Sequence, residues 1–480
     1  MPEIRYVCLS DTHFGADNSL LTNLKAASSD TNPTRPSPVM EQLVACLKDL
    51  LEKTDSRDVT LILNGDILEL ALTTDNQADM VFERFMELIM PPAGGLFKRI
   101  IYVPGNHDHH LWELARETQY INYIKDITPG QYLPIPWHTT NMFVENDLKP
   151  VVSYPLTNLI QRYPHLSRFQ ITTAYPNFAL FREKDQKSVI FHHGHFIESL
   201  YHLMTILRDL ILSDRQKPVH VWDIEAENFA WIDFFWSTMG RSGDVGEDVE
   251  LIYEKIQDVE QFKELLYGLA DNLLKKYISS GLIEKAELQA LKWIISALVD
   301  KAQGSEKTRT DSLLSEDAEE GLRAYMNGHL RDQLLGERGQ NMPRDITFVF
   351  GHTHKPFQQD RNMREMNLTG FPEWVKVYNS GGWVVESVDP EPLHGGAVIL
   401  VDEDLNTVSL RMYNEDVNPA NYAAKVEEAS HTGEEPNPLY DLITGLVNSA
   451  EAPWKNFSDA VGPAVRLRAQ NLKAKIDAKS

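Results

Sequence analysis

The feature that most constrains the fold of this chain is a series of short apolar runs, each followed by Asp, Asn or His. The first three are residues 6–9 before Asp11-Thr12-His13, residues 59–63 before Asn64-Gly65-Asp66, and residues 99–103 before Pro104-Gly105-Asn106-His107-Asp108. Continuous apolar runs of this length, bounded by turn residues, are typical of buried strands. The polar residues are therefore predicted to lie in loops at the carboxyl ends of three strands.

Helical patterns separate these strands. Apolar residues recur at helical spacing from residue 40 to 53, and a second helix is predicted over residues 78–90. Alternating strands and helices indicate an α/β fold with parallel strands. Ligands bind outside the carboxyl ends of such strands, so we expect the polar loops to form one site.

Two later apolar runs repeat the pattern. Residues 188–191 precede His192-His193-Gly194-His195, and residues 346–350 precede Gly351-His352-Thr353-His354. Further strands are predicted over residues 171–181, 375–378, 397–401 and 408–413. Five predicted strand ends thus supply Asp, Asn or His side chains.

The middle of the chain has helical periodicity instead. Helices are predicted within residues 251–274, 283–299 and 316–335. The aromatic-rich stretch 229–236 could cover a lipid or aromatic ligand, or could pack between helices. We expect four segments: residues 1–198 as the first part of an α/β core, 199–343 as a helical insertion acting as a lid or partner surface, 344–416 as the second part of the core, and 417–480 as a polar linker and helical tail.

Composition narrows the class of partner and the compartment. The 480 residues include 46 basic and 70 acidic ones, a net charge of -24, which disfavours nucleic acid as a partner. The C-terminal tail is locally basic, so peripheral membrane contact is possible there, although a solvated tail is expected. Cys8 and Cys46 form no disulfide framework, and neither a signal peptide nor a membrane span is evident. A cytoplasmic location is expected.

The polar residues at the strand ends suit a dinuclear metal site. Carboxylate, amide and imidazole ligands without thiolate favour Mn, Fe, Zn or Co. Two metals held close together need a bridging carboxylate, and Asp66 is the natural candidate because it is alone on its loop. Two divalent cations would outweigh the carboxylates of Asp11 and Asp66, so such a site would attract a phosphate. Side chains at positions i and i+2 of extended backbone, such as Asp11 and His13, would point the same way.

The ordered motifs of this chain resemble those of the calcineurin-like metallophosphoesterases. The motifs are Asp11-x-His13, Gly65-Asp66, Gly105-Asn106-His107-Asp108, His193-Gly194-His195 and Gly351-His352-x-His354. The resemblance covers residues 1–198 and 344–416. It implies an α/β (α+β) four-layer sandwich of two mixed sheets flanked by helices, and hydrolysis of a phosphate ester or pyrophosphate bond by metal-activated water.

The resemblance also implies roles for individual residues. One metal would be bound by Asp11, His13, Asp66 and His354, and a second by Asp66, Asn106, His193 and His352. His107 would be the general acid or the donor to the phosphate, with Asp108 as its support, and His195 would lie near the site without binding metal. Two divalent ions are expected, Mn²⁺ first, with Fe, Zn or Co as alternatives.

Departures from the patterns of known subfamilies narrow the choice of subfamily. After Gly65-Asp66 the chain lacks the Asp-Arg-Gly of the protein Ser/Thr phosphatases, and the Tyr ligand of purple acid phosphatases is missing. The combination of Gly-Asp-Ile-Leu-Glu-Leu, Asn-His-Asp-His-His-Leu-Trp and Asn-Ser-Gly-Gly-Trp is similar to the branch of the UDP-2,3-diacylglucosamine hydrolases, which carry Arg in place of His107. The alternatives to a general phosphoesterase are a UDP-lipid pyrophosphatase-like hydrolase, a nuclease and a non-catalytic scaffold. The expected substrate is a phosphorylated small molecule or a lipid-linked one.

Overall fold

The computed structural model describes residues 1–26, 28–145, 149–211, 219–238, 267, 311–339, 341–364, 370–418 and 422–479. Among the helices in these ranges, none combines the length and the apolar character that a transmembrane segment requires.

Eight strands form the larger sheet, in the spatial order β13-β12-β11-β1-β2-β3-β5-β4. Its centre is parallel, because β1 pairs with β2, β2 with β3, and β3 with β5 in the same direction. The other pairs are antiparallel. Its strands are β1 (Ile4–Leu9), β2 (Thr60–Asn64), β3 (Arg99–Val103), β4 (Val151–Val152), β5 (Ile171–Thr173), β11 (Gly395–Asp402), β12 (Thr407–Asn414) and β13 (Lys425–Glu427).

Five strands form the smaller sheet, in the order β6-β7-β8-β10-β9. Strand β8 is parallel to both of its neighbours, whereas the two outer pairs are antiparallel. Its strands are β6 (Asn177–Arg182), β7 (Lys187–His192), β8 (Asp345–Phe350), β9 (Phe357–Asn362) and β10 (Trp374–Asn379).

Helices cover the outer faces of the two sheets. They are α1 (Pro38–Lys53), α2 (Asp75–Ile89), α3 (His109–Ile124), α4 (Tyr154–Gln161), α5 (Leu203–Ile211), α6 (Val221–Asp233), α7 (Glu316–Tyr325), α8 (Arg331–Arg338), α9 (Pro438–Leu446) and α10 (Trp454–Lys479). Helix α1 begins two residues before the predicted residue 40, with Ser37 accepting from the Met40 N–H and Pro38 in the first turn.

The side-chain alternation of each strand divides the core into layers. On β2, Leu61 and Leu63 pack towards α1 and α2, while Ile62 packs between the sheets against residues such as Phe191 of β7. A third cluster joins the outer face of the smaller sheet to α6, α7 and α8. The molecule is therefore a four-layer sandwich of two mixed sheets flanked by helices, which confirms the expected fold class.

One predicted strand is wrong. Residues 171–181 do not form a single strand, because residues 171–173 belong to the larger sheet and residues 177–182 to the smaller one. The chain crosses between the sheets at Ala174-Tyr175-Pro176, where Pro176 has no N–H to continue a ladder. The edge strands β9 and β13 were not predicted, since β9 is polar and β13 has three residues.

The helical insertion is described only at its two ends. The predicted helices 251–274 and 283–299 lie outside the described residues. The predicted helix 316–335 is present as α7 and α8, joined by a π-helical turn at Met326–Leu330. The bounds of the four predicted segments stay a prediction.

The C-terminal helix is part of the core, so the expected solvated tail is wrong. Trp454, Phe457 and Val461 on α10 are buried, and α10 packs against α1. The buried Arg468 donates to the carbonyl oxygens of Ser19 and Thr22 at 2.8 and 2.6 Å. The apolar face of the tail is broken by charged residues, which is why its sequence resembles a solvated helix.

Replacing Phe457 by Ala tests whether α10 stabilises the whole fold. The buried ring packs edge-on against Trp383, so its loss should leave a cavity and lower the free energy of unfolding by about 3–5 kcal/mol. Urea denaturation followed by far-UV circular dichroism measures the effect. Leu467→Ala, in the same helix but 42% exposed, is the control and should change stability by less than about 0.5 kcal/mol. Equal effects of the two variants would contradict a core role for α10.

Candidate metal centre

The carboxyl ends of five strands meet at one edge of the sandwich. Strands β1, β2 and β3 are parallel neighbours in the larger sheet, and β7 and β8 are parallel neighbours in the smaller one. Their loops bring together the residues predicted as metal ligands: Asp11, His13, Asp66, Asn106, His193, His352 and His354. Each of these residues is at most 3% exposed.

Asp11, His13 and His354 form the first group of side chains that could hold a metal ion. The Nε2 atoms of His13 and His354 face each other at 3.3 Å, and Nε2 of His354 lies 3.4 Å from Oδ1 of Asp11. Oδ2 of Asp66 is 3.7 Å from Nε2 of His13. These are the four residues expected to bind one metal.

Asp66, His193 and His352 form a second such group. Nε2 of His193 lies 3.3 Å from Oδ2 of Asp66, 3.2 Å from Nδ1 of His352 and 3.0 Å from Oδ1 of Asn106. The four residues expected to bind the other metal are thus also in mutual contact. Asp66 belongs to the second group and also lies beside His13 of the first, which is the position that a bridging carboxylate would need.

The charges of the centre are strongly coupled. Burial raises the pKa of Asp66, but the imidazoles of His193, His107 and His13 outweigh burial and hold that pKa well below its usual range. Burial lowers the pKa of His193, but Asp66 and Asp11 outweigh it and raise the pKa to about 9. Without cations the carboxylates thus favour the protonated form of His193, so protons and metal ions compete for its nitrogen.

Each ligand-type imidazole is held by the nitrogen that faces away from the centre. Nδ1 of His13 contacts Glu69 at 2.8 Å, Nδ1 of His354 contacts Glu386 at 2.9 Å, and Nε2 of His352 contacts Glu198 at 2.5 Å. Nδ1 of His193 lies 3.3 Å from the carbonyl oxygen of Asn64. Such outer contacts fix the tautomer and orientation of metal-binding histidines.

Sequence reasoning missed these three glutamates. Glu69 follows Asp66 by three positions, within the Gly-Asp-Ile-Leu-Glu-Leu stretch that serves above only as a subfamily pattern. Glu198 and Glu386 similarly follow His195 and Trp383 by three positions. A search for acidic residues one turn beyond each loop motif could have found them.

The residues fit a pair of metal ions on two further observations. Oδ2 of Asp11 is buried and has no hydrogen-bond partner among the described residues. A buried carboxylate oxygen without a partner is costly, and a cation would satisfy it. The donor set of carboxylate, amide oxygen and imidazole suits Mn, Fe, Zn or Co.

His107 lies at the same edge, beside the first group. Its backbone N–H donates to Oδ1 of Asp66 at 2.8 Å, and its ring is 4.8 Å from that of His13. Its Nδ1 contacts Oε1 of Glu69 at 2.9 Å. Burial raises the pKa of Glu69, but His107 and His13 outweigh it and hold that pKa low, so the carboxylate accepts a hydrogen bond from both rings.

Asp108 has a different role from the expected one. Its carboxylate accepts hydrogen bonds from the backbone N–H groups of Gly105 and Ile67 at 2.7 Å, and more weakly from those of Asp66 and Leu68. Glu69, rather than Asp108, contacts the His107 ring. Asp108 therefore holds the β3 loop against the β2 loop, because its short side chain is fully used by these amides.

The loops have an unusual backbone. Asp11, His13, Asp66, His352 and His354 all have positive φ, between 43° and 68°. The expectation that the i and i+2 pairs lie on extended backbone is therefore wrong. Non-glycine residues in this left-handed region are uncommon and concentrate at functional sites.

The insertion reaches the centre through aromatic rings. Tyr201 packs edge-on against His352 with centroids 5.2 Å apart, and Trp236 lies 6.4 Å from the His107 ring. Trp231 and Ile232 pack in the core of this layer, so the aromatic stretch both packs between helices and borders the site.

A buried polar network joins the insertion to the β3 loop. Nε2 of His109 contacts Glu225 of α6 at 2.7 Å, and the Tyr175 hydroxyl donates to the same carboxylate at 2.8 Å. Burial lowers the pKa of His109, but Glu225 and Asp233 outweigh it and raise the pKa to about 9. His195 is buried beside His193, with ring centroids 5.6 Å apart, and belongs to none of the candidate ligand groups among the described residues.

Part of the chain matches the model of a known protein family. The family model described as calcineurin-like phosphoesterase matches residues 4–232. Structure comparison pairs the chain with a dimetal phosphatase from Danio rerio, at 10% identity, covering 86% of this chain and 96% of that chain, with a TM-score of 0.31. No curated protein matches the chain.

Gly351→Ala tests whether close loop contact is needed for metal binding. A Cβ at Gly351 would lie 2.0 Å from Oδ2 of Asp11, so Asp11 must move away from the centre. We expect the variant to keep its fold but to retain less Mn²⁺ after dialysis, measured by elemental analysis. Gly336→Ala is the control, because a Cβ there meets no atom within 4 Å. Undiminished Mn²⁺ retention by Gly351→Ala would contradict the described loop packing.

Proposed function

Because the family model of the calcineurin-like phosphoesterases matches residues 4–232, we propose that the protein is a dinuclear metal-dependent phosphoesterase. It hydrolyses a phosphate ester or a pyrophosphate bond. One observation carries the proposal: four imidazoles, each anchored on its outer nitrogen, direct the other nitrogen towards Asp66 and its neighbours.

The ligands divide into two sets that share Asp66. Asp11, His13, Asp66 and His354 would hold one ion, and Asp66, Asn106, His193 and His352 the other. When bound, two divalent cations lower the pKa of a water molecule and neutralise the charge that develops on a phosphoryl group. Mn²⁺ is the first ion to test, followed by Fe²⁺, Zn²⁺ and Co²⁺.

His107 would deliver a proton to the leaving oxygen of the substrate. Because Nδ1 contacts Glu69, the proton is transferred from Nε2. The negative charge of Glu69 stabilises the imidazolium form, which general-acid catalysis requires. Glu69 also contacts the ligand-type His13, so one carboxylate positions both the reacting group and the metal site.

The surroundings of the site favour a small substrate. The ligand-type side chains are buried, and Tyr201 and Trp236 lie directly beside the centre. A phosphorylated small molecule fits these contacts, and a lipid-linked one could use the aromatic side. The net charge of -24 argues against a nuclease.

An accompanying proposal is that the protein is located in the cytoplasm. The buried free thiols of Cys8 and Cys46 are compatible with the cytoplasm. Membrane contact through the basic tail is not part of the proposal, because Arg468 is buried and Lys475 pairs with Asp17 at 2.8 Å.

The proposal is tested with a panel of substrates on the Mn²⁺-loaded protein. The panel comprises an aryl and an alkyl phosphomonoester, a phosphodiester, a cyclic nucleotide and a UDP-sugar lipid. Turnover that is lost in Asp66→Ala supports a phosphoesterase, and the preferred member defines the bond. If the protein hydrolyses none of these substrates and binds no metal, the non-catalytic scaffold is favoured.

His107→Ala should separate catalysis from metal binding. Loss of the proton donor should lower kcat by about 10²–10⁴-fold for an alkyl phosphate, and less for an aryl phosphate whose leaving group needs no proton. Mn²⁺ content, measured by elemental analysis, should be unchanged. His165→Ala, an exposed histidine that contacts the Met90 carbonyl, is the control. An unchanged rate for the alkyl ester would refute the role of His107.

Glu69→Gln should affect both functions. Gln keeps the size of the side chain, but its amide group cannot accept from both His13 and His107. We expect kcat and Mn²⁺ affinity each to fall by about 10–100-fold, measured by steady-state kinetics and calorimetry. Glu83→Gln, another buried glutamate that pairs with Arg162 on the outer face of α2, should change neither. A loss of kcat alone would show that Glu69 does not position His13.

A further inference from the structure

A second cluster of metal-binding side chains lies on the opposite edge of the sandwich from β4 and β6. Asp360 of β9, His431 and Glu434 each offer one ligand atom, all within 4.8 Å of one another. His431 and Glu434 follow β13, the edge strand of the larger sheet, whereas β9 is the edge strand of the smaller sheet. The cluster therefore joins the edges of the two sheets.

The geometry of His431 is already fixed. Its Nδ1 lies 2.5 Å from Oδ2 of Asp360 and 3.6 Å from Oε2 of Glu434. Its ring stacks on the Trp374 indole of β10, with centroids 4.6 Å apart and planes inclined by 4°. Stacking holds Nδ1 towards the two carboxylates without any ion.

Two carboxylate oxygens of the cluster point to a missing ligand. Oδ1 of Asp360 and Oε2 of Glu434 are buried and have no hydrogen-bond partner among the described residues, and the Asp360 side chain is 2% exposed. A buried carboxylate oxygen is costly unless a donor or a cation satisfies it. Lys376 pairs with the other oxygen of Glu434, so with neutral His431 the three side chains and Lys376 sum to a charge of -1.

We propose that Asp360, His431 and Glu434 bind a single Zn²⁺-like cation that clasps the C-terminal segment to the edge of the smaller sheet. One imidazole and two carboxylates are a ligand set that Zn²⁺ accepts, with water in the remaining position. The partial exposure of His431, at 29%, and of Glu434, at 24%, admits that water. Ca²⁺ would need more oxygen ligands than the cluster offers. The site shares no residue with the dinuclear centre, so it is independent of the proposed function.

The test uses the full chain with the first centre disabled by Asp66→Ala and His193→Ala. Zn²⁺ is added to this protein and to the same protein with His431→Ala, and binding is measured by calorimetry and elemental analysis. We expect one equivalent of Zn²⁺ to be lost, or to bind at least about tenfold more weakly, when His431 is removed. Asp360→Asn, which keeps the size of the side chain, should have the same effect.

His220→Ala is the matched control. Nδ1 of His220 lies 2.5 Å from Oδ2 of Asp332, the same distance as in the His431–Asp360 pair, but the pair is outside the candidate metal groups of the described residues. Its removal should leave Zn²⁺ binding unchanged. A second readout is the midpoint of thermal unfolding of the Mn²⁺-loaded protein. Added Zn²⁺ should raise this midpoint in the wild-type protein and leave it unchanged in His431→Ala. Zn²⁺ binding that is equal with and without His431, or no binding at all, would overturn the proposal and leave a salt-bridge network.

Discussion

The contacts of the Asp66 carboxylate are the interaction on which the rest of the centre depends. Asp66 lies in the loop that follows a strand of the larger sheet, yet its oxygens contact His193, which follows a strand of the smaller sheet, and the backbone of His107. This is possible only because the loops approach closely: a Cβ at Gly65 would lie 2.2 Å from the His193 ring, and one at Gly105 would lie 2.3 Å from Asp66. The glycines of the motifs are therefore needed for packing, because a side chain at either position would keep the loops apart.

Close approach also explains the backbone of the loops. Five of the ligand-type residues have left-handed φ, a conformation that costs free energy in non-glycine residues. The cost is offset by fixed hydrogen bonds, such as that from the His352 N–H to Oδ1 of Asp11 at 2.9 Å and those from four backbone amides to Asp108. The backbone of the loops thus sets where the ligand-type residues lie. Carboxylates on the far side of the imidazole rings then fix the orientation of those rings. A preorganised site of this kind loses little entropy when ions bind.

The sequence predicts the central strands and the ligand-type residues for one reason: strands covered on both faces are continuously apolar, so a polar side chain at their ends stands out. The same reason explains the failures. Strands β9 and β13 lie at sheet edges and lack that pattern. Residues 171–181 were predicted as one strand, although the chain passes from one sheet to the other within them. The glutamates that hold the histidines are 56, 154 and 32 positions away from their partners, so no local pattern shows which histidine each glutamate holds.

The C-terminal segment links the stability of the fold to the centre. The N–H of Trp383 donates to the carbonyl oxygen of Asp11 at 3.0 Å, and the Leu20 N–H donates to the carbonyl oxygen of Trp383 at 2.7 Å. The Trp383 ring in turn packs against Phe457 of α10. Loosening α10 would therefore free Trp383 and, through its backbone, the loop that holds Asp11 and His13. Since the contact with Trp383 is one of those that hold Asp11, which has a left-handed φ, the tail belongs to the structural support of the metal site although it lies at the end of the chain.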